Sequence, residues 1–181
     1  MPKNISLETV VDSCISGFEE ANKNYKEWTG GWSARTAPEF LSQVEIAKVL
    51  AKISPAVSLE DKTKDIISIA KGETRGRSPR NNLGRMDITV WHASSEPRFA
   101  IEIKKANTPS KIGNDIRRLG QLVDKCPKLQ AGIMIVISGA SKKATLDARF
   151  KKMETGLRLD LRKKSEYILA INKRGASIYV G

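Results

Sequence analysis

At 181 residues and 40% hydrophobic, the chain is long enough for one substantial core, and a single domain over 1–181 is expected. Its 32 Lys+Arg against 20 Asp+Glu leave a formal charge of +12 and an isoelectric point near 9.8, favouring a polyanionic partner, nucleic acid ahead of an anionic membrane surface. Two distant cysteines, Cys14 and Cys126, and one histidine, His92, exclude a structural zinc site and His-rich nuclease chemistry.

The opening MPKNISLETVVDS is too polar for a signal peptide, and no apolar run approaches the roughly 18 residues that span a bilayer. The expectation is a cytoplasmic protein with no membrane partner. Residues 4–27 read as an amphipathic helix, with Ile5, Val10, Cys14, Phe18 and Ala21 at helical spacing. Trp28-Thr-Gly-Gly-Trp32 breaks it, and the two tryptophans are expected to pack into the corner. A second helix starts near Pro38, a residue suited to the first helical position, with Glu39 at the positive end of the dipole, and stops at Ser54-Pro55. AVSLE follows as a short strand, and KDIISIA as a strand or a short helix.

Residues 71–85 form a polar, Gly-rich loop in which Lys71, Arg75, Arg77, Arg80 and Arg85 face one acid, Glu73. It is either a solvated surface loop or an arm that contacts phosphates through Arg77, Arg80 and Arg85. Strands are predicted over 85–91 and 98–106, a helix over 114–125, and a strand over 131–138. That last run is apolar without alternation, as a central strand covered on both faces would be. A basic helical stretch over 141–155 and a hairpin turning at Arg174-Gly175-Ala176 complete the chain. The fold class is α/β, a mixed central β-sheet flanked by helices. It comprises an N-terminal helical extension (1–35), a core (36–140) and a C-terminal helix and hairpin (141–181).

Alternation places chemistry on two of these strands. Side chains two apart share a face, so Phe99, Ile101 and Ile103 face one way and Ala100, Glu102 and Lys104 the other. On the preceding strand Met86, Ile88 and Val90 form the apolar face, leaving Asp87, Thr89 and Trp91 opposite. If the two strands pair, Asp87 lies beside Glu102 and Lys104. Carboxylates brought together on an interior strand repel, and a divalent cation relieves that repulsion. Their hard oxygens suit Mg²⁺ or Mn²⁺.

Gly84-Arg-Met-Asp87-Ile followed by Glu102-Ile-Lys104 resembles the motif of the PD-(D/E)XK nuclease superfamily, with Met86 in place of the proline. The resemblance covers residues 37–138 and implies a restriction-endonuclease-like α-β-β-β-α-β core. It implies Mg²⁺ or Mn²⁺ held by Asp87, Glu102 and the Ile103 carbonyl, with Lys104 beside an attacking water. It also implies polar residues on the following helix that reach toward the site, for which Arg117, Arg118 and Gln121 are the candidates. The implied activity is metal-dependent hydrolysis of DNA, with RNA the other polyanion and a homodimer the implied assembly. The alternative is a catalytically inactive nucleic-acid-binding or assembly module of the same fold.

The family often draws a further carboxylate from its first core helix. On a helical wheel Glu39 aligns with Gln43, Ile46 and Leu50, a stripe that should face the sheet. Glu45 shares its side with Lys48 and Lys52, as on a solvated face with an i,i+3 ion pair. Glu39 is therefore the expected fourth catalytic residue. A phosphate-binding P-loop is missing, because Gly72-x-x-x-Gly76 lacks the following Lys-Ser/Thr, and Ser138 and Ser141 have no G-x-S-x-G setting.

Overall fold

The structure is a computed structural model. It describes residues 5–71, 84–105, 109–137, 144, 145 and 148, and the strand segments 160–164, 167–172 and 175–180. The elements run α1 (Leu7–Thr29), α2 (Glu39–Ala51), β1 (Ala56–Lys62), α3 (Thr63–Lys71), β2 (Arg85–Trp91), β3 (Pro97–Lys105), α4 (Pro109–Lys125), β4 (Ala131–Ile137), β5 (Asp160–Lys164), β6 (Tyr167–Asn172) and β7 (Gly175–Val180). They build a mixed sheet of order β1-β2-β3-β4-β7-β6-β5. β1, β2 and β3 form an antiparallel meander, β3–β4 and β4–β7 are parallel pairs, and β7, β6 and β5 return antiparallel.

Alternation divides the core into two layers. Ile88, Val90, Phe99, Ile101, Ile103 and the odd residues 131–137 of β4 pack with α1 and α2. Ala100, Met134 and Val136 face the other way, against Ile66 and Ile67 of α3 and Ile112, Leu119 and Leu122 of α4. Every residue of β4 is buried, as expected of a strand covered on both faces.

α1 begins at Ser6, whose hydroxyl accepts the Thr9 N–H, the usual way an N-cap satisfies a free amide. Its buried side carries Ser13, Gly17 and Ala21 four residues apart. These small residues bring α2 close: a Cβ on Gly17 would stand 2.4 Å from Ile46 Cα. Arg98, buried, donates to the Ile5 carbonyl at 2.7 Å and ties the start of α1 to β3. α2 is thereby covered by α1 on one side and the sheet on another.

Several expectations need correction. Trp28 and Trp32 do not pack into the corner; both are exposed, because the turn is held by polar contacts instead. Pro38 is the N-cap rather than the first helical residue. Glu45 makes the expected pair with Lys48 (2.8 Å) but is buried, because α2 packs against both α1 and the sheet and leaves little of its surface to solvent. Met86 joins the α3/α4 layer, not that of Ile88 and Val90. The change falls opposite Glu60, whose backbone is left-handed (φ 57) and where the β1–β2 ladder omits one pair while keeping its register. KDIISIA takes the helical one of its two expected forms, whereas α4 starts at Pro109 rather than 114 and β5 adds a strand to the expected hairpin. The β6–β7 ladder closes on Asn172↔Gly175, so Gly175 and Ala176 belong to the strand rather than the turn. Arg77, Arg80 and most of the helix expected over 141–155 lie outside the described residues.

Candidate active site

The site forms where β2 and β3 part. Their ladder ends at Ile88↔Ile101, although β2 reaches back to Arg85 and β3 continues to Lys105. Continuing the register by one step sets Asp87 opposite Glu102. Past the last pair, the strands' backbone groups need other partners, since unpaired buried amides are costly. Side chains supply them. Asp87 Oδ2 accepts the Ile103 N–H at 2.6 Å, and Glu39 Oε1 accepts the Lys105 N–H at 2.6 Å. Gln43 Nε2 donates to the Asp87 carbonyl (2.6 Å) and to Glu60 Oε1 (3.1 Å). Glu39 and Gln43, one turn apart on α2, thus plug the split from one side.

From the other side comes α4. Arg118 reaches Glu102 through Nη2, and the same nitrogen lies 3.2 Å from Asp115 Oδ1. Lys104 Nζ stands 3.7 Å from Asp115 Oδ2 and its side chain is 40% exposed, so the ammonium lies between that carboxylate and solvent. Gly84 makes room for Arg118: its φ is +70, and a Cβ there would meet Arg118 Nη1 at 2.8 Å. The Gly84 carbonyl is held by the N–H and hydroxyl of Thr63, which also fixes the entry to β2.

Electrostatics mark the pair at the centre. Glu102 is only 2% exposed. Burial first, then the charge of Asp87, raises its carboxyl from an ordinary 4.5 to about 8; Arg118 opposes the rise, while Asp115 and the hydrogen bond to Asp87 add to it. Asp87 is also raised, chiefly by burial, with the Ile103 N–H pulling the other way and Glu60 and Glu39 adding repulsion. Burial and neighbouring acids push both carboxyls the same way, so the pair holds a proton above the usual carboxylate range. The ion pair with Arg118 by itself would keep Glu102 ionised; desolvation together with three acidic influences outweighs one guanidinium. Lys105 is lowered by burial, partly offset by Glu39.

Asp87, Glu102, Ile103 and Glu39 therefore converge on the split, with Lys104 at its mouth. Arg118 points inward to Glu102, whereas Arg117 is exposed beside Asn114 (3.0 Å), and Gln121 is exposed. Arg85, on the outer end of β2, donates to the Glu60 carbonyl at 2.6 Å. Sequence reasoning missed Gln43 as a partner of the split, and Glu60 and Asp115 as further acids around it. Asp115 carried a usable signal, lying three residues before Arg118 on one helical face. Glu60 carried none, because its place depends on a left-handed residue in mid-strand.

The donor set is hard oxygen, and burial together with neighbouring acids raises both Asp87 and Glu102, so the chemistry of these residues suits a divalent ion. Among the described residues, no group of three or more His, Cys, Asp or Glu stands in metal-holding geometry; Asp87 and Glu102 already bind Ile103 N–H and Arg118. Comparison with protein-family models, with curated proteins and with solved structures found no match. Among the described residues no helix is long and apolar enough to cross a membrane.

Proposed function

We propose that the chain is a metal-dependent nuclease that hydrolyses DNA phosphodiester bonds, with Asp87, Glu102 and Lys104 as its catalytic residues and Glu39 as an accessory carboxylate. One observation carries the reading: where the β2–β3 ladder ends, Asp87 stands opposite Glu102, burial and neighbouring acids raise both carboxyls, and the Lys104 ammonium lies by Asp115 at the same split. The order α2-β1-β2-β3-α4-β4, with α3 inserted, supports a restriction-endonuclease-like core and membership of the PD-(D/E)XK superfamily. The +12 charge supports a polyanionic substrate.

Asp87, Glu102 and the Ile103 carbonyl would hold Mg²⁺ or Mn²⁺, and the bound ion would acidify a water and offset charge developing on the phosphate. The chain's own residues do the rest. Lys104 orients the water and stabilises negative charge at the mouth of the split. Asp115 holds the Lys104 ammonium near that position (3.7 Å). Gln43 and Glu39 fix the two strand ends, so that Asp87 and Glu102 meet at one point. A homodimer belongs to the proposal because cutting both strands of a duplex takes two such sites.

The inactive-module reading has one observation in its favour: the Arg118 guanidinium already occupies Glu102. Plasmid nicking separates the two. The nuclease reading requires Mg²⁺- or Mn²⁺-dependent nicking by the wild-type chain, abolished by chelator and by Glu102→Gln. Wild-type protein that binds DNA but never nicks it, with either metal, would establish the module. Parallel duplex DNA and RNA substrates assign the nucleic acid.

A further inference from the structure

The corner between α1 and α2 carries a surface that the acidic split does not use. Trp28 is 66% exposed, Trp32 65% and Phe40 58%, and among the described residues the one other exposed large hydrophobic is Ile69. Single exposed apolar side chains are ordinary, but three aromatics confined to one corner are not. Nor does a loose backbone explain them. Gly30 caps α1, and the Gly31 N–H returns to the Lys26 carbonyl at 2.8 Å. Thr29 Oγ1 donates to the Tyr25 carbonyl (2.6 Å) and accepts the Trp32 N–H (3.0 Å). Ser33 Oγ and the Ala34 N–H both donate to Asn22 Oδ1, at 2.9 and 3.0 Å. The corner is stitched to the last turns of α1, so both indoles are presented by a fixed frame.

Cations stand among these aromatics: Lys23 and Lys26 are exposed and Arg35 is partly so, with Glu27 between them and Glu20 and Glu39 at the ends of the segment. Lysine is depleted at protein–protein interfaces, whereas single-strand binders combine cations for the backbone with aromatic faces on which bases stack. Bases in a duplex are already stacked on each other, which leaves unpaired bases as the fit. Phe40 adjoins Glu39, whose carboxylate lies at the split.

We propose that Trp28, Trp32 and Phe40 form a stacking surface for unpaired bases of a single-stranded nucleic acid, with Lys23, Lys26 and Arg35 against its phosphates. The corollary, that this strand continues into the acidic split as substrate or flap, rests on the nuclease reading; the stacking itself does not. The test is binding without cleavage. The full-length chain in EDTA is titrated into a fluorescent oligothymidylate of about 15 nucleotides, a length covering the usual single-strand site, and into a duplex of equal length. Trp28→Ala and Trp32→Ala should each weaken oligothymidylate binding by about tenfold, with Phe replacements retaining most of it and duplex binding little changed. Unchanged thermal midpoints show that the variants fold. Wild-type oligothymidylate affinity in both alanine variants overturns the proposal. So does a change of oligomeric state in those variants with nucleic-acid binding intact, which would make the corner an interface between copies. Loss of single-strand binding in the alanine variants, with no metal-dependent cleavage by the wild type, would uphold the stacking surface and remove the nuclease reading alone.

Discussion

Replacing Glu102 by glutamine removes a titrating group while keeping its shape, and the structure fixes how stability should respond to pH. The Glu102 carboxyl rises from an ordinary 4.5 to about 8 on folding. Between those values the folded chain holds a proton that the unfolded chain has released, so stability falls as pH rises. This contribution is fully present below about pH 4.5 and is lost as pH passes through about 8. At about 1.4 kcal/mol per pH unit the ceiling is about 5 kcal/mol, and coupling to Asp87, which moves in the same direction, means that the pair titrates together. For a chain of this length that ceiling corresponds to at most about 10–20 °C in Tm. Glutamine stays neutral throughout. The Tm of Glu102→Gln minus that of the wild type should therefore climb by several degrees from pH 4.5 to 8, read by calorimetry in chelator. Adding Mg²⁺ should raise the wild-type Tm at pH 8 and do little at pH 5, where protons compete, and it should leave the glutamine variant unmoved. Parallel Tm curves for the two proteins across that range would refute the reading of Glu102 as a carboxyl raised by burial.

Gly17→Ala places a Cβ 2.4 Å from Ile46 Cα, so α2 must shift; a loss of about 1–3 kcal/mol is expected by denaturant titration, and an unchanged midpoint would contradict the close helix contact. Because Glu39 caps the Lys105 N–H while Glu45 pairs with Lys48, Glu39→Gln should lower Mg²⁺-dependent cleavage and Glu45→Gln should not; the reverse result would relocate the helix carboxylate. Arg77→Ala and Arg80→Ala should each flatten the slope of log K against log salt by about one unit if that loop contacts phosphates; an unchanged slope makes it a solvated loop.

What was legible in the sequence follows from periodicity. Alternation in RFAIEIKK placed Glu102 and Lys104 opposite the α1/α2 core, and the wheel placed Glu39 and Gln43 toward the sheet, as found. Both rules need only local geometry. They fail where a distant element decides. Met86 changes layers beside the left-handed Glu60, and Glu45 is buried because α2 packs against α1 as well as the sheet, which the wheel of α2 alone does not show. The early start of α4 has a signal in Pro109, a residue suited to the first helical position it occupies. The tryptophan corner misled because size and apolarity argue for burial, whereas the polar stitches from Asn22 and Thr29 hold the turn without them.

The central claim is that Asp87, Glu102 and Lys104 act together on a phosphodiester, and Lys104 tests it most directly because its side chain is partly exposed and belongs to neither core layer. The decisive measurement is the single-turnover cleavage rate of a duplex by Lys104→Ala in saturating Mg²⁺, with DNA affinity and Tm recorded on the same preparation. The account predicts near wild-type binding and folding, with cleavage slowed by about a hundredfold or more, the scale on which a positioned acid–base group contributes. Cleavage at the wild-type rate would contradict it.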